Sequence, residues 1–265
     1  MTSPLESASV RVRDLLATYE PPGFGHVPDP DAALFLCAID HRSGYRSRYM
    51  VDGHGPFEGS ALLWAVGLRE SVREGGLLRA DRLGDVSGER VGEIFRIGGE
   101  TVGDPKRRAE LWRELATGLE RDHNGSAAAL LSASGGRLAG AGGLVGRLAH
   151  YEAFSDPLAK KAFLYAKICE RRGWLGVTDP GSWEVCADNV LMRLALRSGL
   201  VSDGSLDHVR AETRTALKAL AAKAGTTPPA LDDLLWELGR DNPDLLGREA
   251  GDVHEPSRAA GSDWY

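Results

Sequence analysis

Three lysines close together set the chemistry this chain can attempt. Lys160 and Lys161 are consecutive, and Lys167 follows about two helical turns on. A lysine amine is a nucleophile only after losing its proton, and burial or neighbouring positive charge lowers its pKa towards neutrality. Such an amine can attack an electrophilic carbon and form a Schiff base with a carbonyl substrate. An acid, Asp188, stands further along the chain. A carboxylate in that setting can deprotonate a nucleophile or stabilise a cation that develops as a bond breaks.

The elements that must carry these groups are legible from spacing. The run from Ala159 to Arg172 contains no proline or glycine, and Phe163, Ala166, Ile168 and Cys169 fall at helical spacing, which predicts a helix. Pro157 suits its first turn, with Asp156 or Ser155 as the cap, and Gly173 is placed to end it. A turn from Trp174 to Pro180 follows. Asp188 then opens a second helical pattern in which Val190, Leu191, Leu194 and Leu196 are apolar, Arg193 and Arg197 polar, and Gly199 the stop. Asp188 therefore also reads as a helix N-cap, a role compatible with catalysis.

Two segments within this stretch carry a family resemblance. Asp188, followed by Arg193, Arg197 and Gly199, resembles the motif of the helix-hairpin-helix DNA glycosylases. Lys160-Lys-Ala-Phe-Leu-Tyr-Ala-Lys167 resembles the lysine helix of archaeal 8-oxoguanine DNA glycosylase, and Thr227-Pro-Pro-Ala-Leu-Asp232-Asp-Leu-Leu-Trp236 is similar to that family's terminal base-pocket segment. The resemblance covers roughly residues 60 to 240 and extends to the queuosine salvage glycosylases. It implies a two-lobed helical helix-hairpin-helix fold, Asp188 as the catalytic carboxylate, Lys160 as the best match to the nucleophile, and Lys161 and Lys167 as its companions. It also implies a base pocket of Trp236 and Asp232, to which Trp64 is a candidate addition, and DNA-backbone contacts from Arg171, Arg172, Arg193 and Arg197. The activity expected is excision of a modified base from DNA without a cofactor or metal. Glycosylases resembling this branch act on oxidised guanine or are linked to defence against phages with hypermodified bases such as glucosylated hydroxymethylcytosine.

Composition bounds these readings. A chain of 265 residues at 42% hydrophobic content can bury a sizeable core. No apolar run approaches the roughly 20 residues of a membrane span, and the start of the chain lacks a basic-then-apolar signal, so a soluble cytoplasmic monomer is expected. Cys37, Cys169 and Cys186 form no C-x-x-C pair and are expected as buried thiols. The net charge of -6 opposes broad nonspecific binding to nucleic acid, yet Lys160, Lys161, Lys167, Arg171 and Arg172 against the single acid Glu170 allow a local basic face.

In chain order, a short helix is expected around Val10 to Thr18, and Ala33 to Asp40 with Tyr49 to Asp52 suggests a small β-hairpin. His41 and His54, beside Asp40 and Asp52, match no standard metal-ligand set and are read as structural or surface residues. Trp64 lies on an amphipathic helix from Gly59 to Arg73, and further helices are expected over 89–97, 105–121 and 126–131. The glycine-rich run from Ser134 to Gly146 lacks the Gly-Lys-Ser/Thr of a phosphate loop and reads as a flexible connection into a helix around Leu144 to Phe154. Helices from Asp207 to Lys223 and from Pro228 to Leu238 complete the pattern. The fold class is mainly α with a small β contribution, in three segments: 1–58, a glycosylase core 59–242 containing the element 156–201, and a loose tail 243–265 whose Trp264-Tyr265 end docks or frays. Two other functions fit the residues: a queuosine-type nucleotide glycosylase releasing a free deazaguanine base, and a non-catalytic DNA-binding helical module.

Overall fold

The computed structural model describes residues 3–248 and residue 263. Twelve α-helices and one two-stranded sheet occur among them, so the fold is mainly α. The helices are α1 (Pro4–Leu16), α2 (Pro30–Ala38), α3 (Gly59–Arg73), α4 (Ala80–Leu83), α5 (Gly88–Ile94), α6 (Pro105–His123), α7 (Ala127–Ser134), α8 (Leu144–Leu148), α9 (Lys160–Arg171), α10 (Asn189–Arg197), α11 (Leu206–Ala224) and α12 (Pro228–Gly239). The strands are β1 (Tyr49–Val51) and β2 (His54–Phe57). No helix among the described residues is long and apolar enough to cross a membrane.

The chain forms two compact units, Met1–Gly23 with Pro180–Ser262, and Phe24–Asp179 with Asp263–Tyr265. The second carries the lysines. Its centre is α2, in which every residue from Ala32 to Ala38 is buried. Helices α9, α6, α7 and α3 all pack on it. Each fully buried leucine or phenylalanine there contributes roughly 2 kcal/mol of hydrophobic stabilisation before entropy is counted. On α6, Trp112 is fully buried and its Nε1–H donates to the Phe35 carbonyl at 2.7 Å, which ties the two helices together. Helix α3 approaches α2 closely at Gly67, where a Cβ would lie 2.6 Å from Leu36 Cδ2.

This placement corrects the expectation for residues 33–40: 33–38 belong to α2 and not to a strand, and Ile39 caps its end. A short apolar run fits a buried strand or a buried helix equally, and the preceding residues decide. Asp29 accepts the Ala32 N–H at 2.8 Å and Pro30 occupies the first turn, so the chain enters a helix. The hairpin instead pairs β1 with β2, Val51 opposite His54, around Asp52-Gly53. Both turn residues have positive φ, 48° and 82°, as a two-residue type I′ turn requires.

The glycine-rich run is also anchored, where a flexible connection was expected. The Asp179 carboxylate accepts the N–H groups of Leu138 at 2.7 Å and Ala139 at 3.0 Å, and the Thr178 N–H donates to the Gly136 carbonyl at 2.9 Å. Gly136 lies so close to the Gly176 carbonyl that a side chain there would collide with it. The expected single helix from Leu144 to Phe154 is divided into α8 and a 3₁₀ turn at Glu152–Phe154.

In the unit that carries Asp188, α10 packs on α11 and α12, and α1 packs on both of these. The core joins Val12, Leu191, Leu194, Leu217, Leu234 and Leu246. Ser205 caps α11 by accepting the His208 N–H, and Thr227 caps α12 by accepting that of Ala230. Leu246 is only 1% exposed, so chain beyond 243 contributes to this core. The Trp264-Tyr265 end lies outside the described residues. The three cysteines are buried free thiols.

Candidate active site

Helix α9 starts from a loop held by Asp156. Its carboxylate, 4% exposed, accepts the N–H groups of Leu158 at 3.0 Å and Lys160 at 3.1 Å, placing negative charge at the positive end of the helix. Ala159 closes the loop in the left-handed region at φ 51°, a strained setting for a residue with a Cβ. At the other end, the Gly173 φ of 72° and the Trp174 N–H donated to the Cys169 carbonyl at 2.8 Å stop the helix as its glycine implied.

The first turn of α9 separates the two consecutive lysines. Lys160 stays partly exposed, whereas Lys161 is 1% exposed. The Lys161 Nζ donates to the Ala38 carbonyl at the end of α2 at 2.7 Å and lies 3.2 Å from His41 Nδ1. Burial, followed by the charge of Lys160, lowers its pKa to about 7. Burial and the charges of Lys161, Arg108, Lys160 and Arg107 hold the His41 imidazole far below its usual range, so the ring is neutral. With Nδ1 accepting from Lys161, its proton sits on Nε2, which faces an Asp263 carboxylate oxygen at 3.6 Å. Lys167, further along α9, is also buried, at 4%.

Around this pair, Asp40 accepts the Ser60 hydroxyl at 2.7 Å and the Trp64 Nε1–H at 3.2 Å, which fixes the partly exposed Trp64 beside the cluster. Arg108, 1% exposed, donates to the carbonyls of Gly103 at 2.7 Å, His41 at 2.5 Å, Arg42 at 2.9 Å and Ile39. One guanidinium thus shapes the chain from Ile39 to Arg42 that presents His41. Arg108→Ala should cost roughly 3–5 kcal/mol, because it strands buried carbonyls. Arg108→Lys should recover little of this, since an ammonium cannot span four acceptors. Urea midpoints read the effect, and an unchanged midpoint in Arg108→Ala would contradict it.

The lysine shift has a sign that can be measured. The folded-state pKa of Lys161 lies near 7 against 10.5 for an ordinary lysine, so the unfolded chain binds this proton more tightly. The buried ammonium destabilises the fold below pH 7, and the penalty lifts as pH rises from about 7 to 10.5. Relative to Lys161→Met, which cannot titrate at that position, the parent protein should gain stability across that window. Parallel stability curves would contradict the shift.

In the other unit, Asp188 caps α10, its Oδ1 accepting the N–H groups of Val190 at 2.9 Å and Leu191 at 3.0 Å. Just before it, the Cys186 N–H donates to Asp232 Oδ1 at 2.7 Å, so the strap leading into Asp188 is pinned to α12. The sequence matches no family model, and no curated protein matches it. Local geometry therefore carries the reading of each residue.

Asp232 is 4% exposed, and Trp236, partly exposed, lies under the Arg240 guanidinium at 5.0 Å. Arg193 donates to the Gly239 and Arg240 carbonyls at 2.8 and 3.1 Å, closing the end of α12, and Arg197 pairs with Asp244 at 2.6 Å. Two of the four arginines expected on DNA backbone are thus held by protein groups. Arg171 and Arg172 are partly exposed, and the Arg172 guanidinium stacks 5.1 Å from the Trp174 ring. That ring lines a cleft of about 410 Å³ with Leu131, Ser132, Gly135 and Gly136.

Within the lysine-bearing unit the structure brings together Lys161, His41, Asp40 and Trp64; within the other it joins Asp188, Asp232 and Trp236 through 186–188 and α12. Asp188 and the lysines belong to different units. His41, Asp40 and Arg108 were not foreseen as site residues. The adjacent Asp40-His41 pair was a signal, but it carries no metal-ligand spacing and its lysine partner lies 120 residues on. No cluster able to hold a metal occurs among the described residues.

Proposed function

We propose that the protein is a DNA N-glycosylase of helix-hairpin-helix type that excises a modified base, either a hypermodified phage base or oxidised guanine. The observation that carries this reading is the lysine pair at the start of α9. Lys161 is buried against Ala38 and His41, while Lys160 beside it remains reachable. The resemblance assigns the nucleophile to this turn, and accessibility favours Lys160 over Lys161.

The chemistry follows from the bond to be broken. As the C1′–N bond lengthens, its electrons leave with the base, which takes a proton, and C1′ gains cationic character. The lone pair of a neutral Lys160 amine forms the new N–C1′ bond, and loss of its proton with opening of the sugar ring leaves a Schiff base. Asp188 is the carboxylate assigned to stabilise the developing cation. Trp236 and Trp64 are candidate stacking surfaces for a base taken out of the duplex, a step costing a few kcal/mol.

The net charge of -6 favours a second reading, a glycosylase of free nucleotides, because an acidic protein is a poor general ligand for a polyanion. Base release measured on modified duplex and on nucleotide, each at rising salt, separates the two. A DNA enzyme loses activity steeply with salt and leaves nucleotides intact. Release from nucleotide alone would replace the DNA reading.

A further inference from the structure

Four cationic side chains bear on the His41 ring: Lys161, Arg108, Lys160 and Arg107. Arg108 is spent on backbone carbonyls and Lys161 on Ala38 and His41. Arg107, in the first turn of α6 and 27% exposed at its side chain, instead turns towards carboxylates. It meets Glu152 at 2.7 Å and Glu110 at 3.4 Å, both from chain close to it in the fold, and Asp263 at 2.7 Å from Nε and from a terminal nitrogen to the same oxygen. The other Asp263 oxygen faces His41 Nε2. One carboxylate thus pairs with a guanidinium and faces an imidazole nitrogen at 3.6 Å beside the lysine turn, with its side chain only 18% exposed. Asp263 is 156 residues from Arg107 in sequence.

We propose that Arg107 and His41 form an anion site for a phosphate ester, and that the Asp263 carboxylate occupies it as an internal stand-in that the ligand displaces. A guanidinium fork that accepts a carboxylate accepts phosphate oxygens with the same geometry. The neutral His41 Nε2–H supplies a second donor, and Lys160 adds positive charge at the edge. Release of Asp263 strands little, since Arg107 keeps Glu152 and Glu110. Phosphate is preferred over other anions because of the glycosylase reading; the site itself does not depend on catalysis. A phosphodiester of DNA and the phosphate of a free nucleotide are both esters that would fit.

The test uses the full chain with Asp263→Asn, with Asp85→Asn as a control for the same loss of charge at an exposed acid elsewhere. Binding of an unmodified duplex and of inorganic phosphate is measured at several salt concentrations. Asp263→Asn should bind at least one of these about tenfold more tightly, a difference of about 1.4 kcal/mol, while Asp85→Asn should not. If the duplex is the ligand, its salt slope should steepen by about 0.9, one phosphate contact. Arg107→Ala added to Asp263→Asn should remove the gain. A gain for phosphate but not duplex supports the site and assigns it to small nucleotides. No gain for either, or an equal gain in Asp85→Asn, overturns the proposal, whether or not any base is released.

Discussion

Asp188→Asn should abolish base release, by about 100-fold to 10,000-fold, and leave the melting temperature unchanged. The magnitude is that expected for losing a group that handles charge in the transition state. The substitution is clean because the Asp188 side chain also caps α10 through Oδ1. Asparagine caps a helix about as well as aspartate, so it keeps the two N–H acceptances while removing the charge. Asp188→Ala should lose activity and, in addition, about 1 kcal/mol of stability with the cap. The pair of variants therefore separates the two roles. An active Asp188→Asn would leave the residue as a cap alone.

The second large effect concerns the lysines. Borohydride added during turnover should trap a covalent adduct between protein and DNA, and Lys160→Ala should reduce that adduct by at least about 100-fold. Lys161→Met should still form it, because the Lys161 amine is turned inward to Ala38 and His41. Mapping the reduced adduct to Lys160 by peptide mass spectrometry makes the assignment direct. Adduct on Lys161, or its loss only in Lys161→Met, would mean that the buried amine swings out during turnover. If base is released with no adduct in the parent, water is the nucleophile and Asp188 acts without lysine.

Much of the helical pattern was legible because caps and stops are local. Asp104-Pro105 opens α6, Gly173 closes α9 and Pro228 opens α12, each a choice made by a residue within a turn of the boundary. Helix α2 was misread because its apolar run carries no period, and burial on all sides, which explains that run, is a tertiary fact. The glycine-rich segment looked flexible, since nothing local shows that Asp179 binds its amides or that Gly136 must sit against Gly176.

The candidate site divided in the same way. Asp188 as cap followed from the sequence, because capping needs only the next three residues. Which of two adjacent lysines is buried did not, since α9 rotates one into the protein and leaves the other at its edge. Arg108 and Arg193 were equally hidden: an arginine that binds backbone carbonyls has no pattern to distinguish it from one awaiting phosphate. His41 was visible beside Asp40, but its meaning depends on Lys161, 120 residues later.

The proposed activity is the breaking of N-glycosidic bonds to modified bases in DNA. Its most direct test is incubation of the protein with genomic DNAs of different modification, including DNA from phages with glucosylated hydroxymethylcytosine and DNA carrying oxidised guanine, followed by mass spectrometry of the released material. A free modified base is expected from at least one of them, in amounts matched by abasic sites and absent with Asp188→Asn. No released base from any of these DNAs would contradict it.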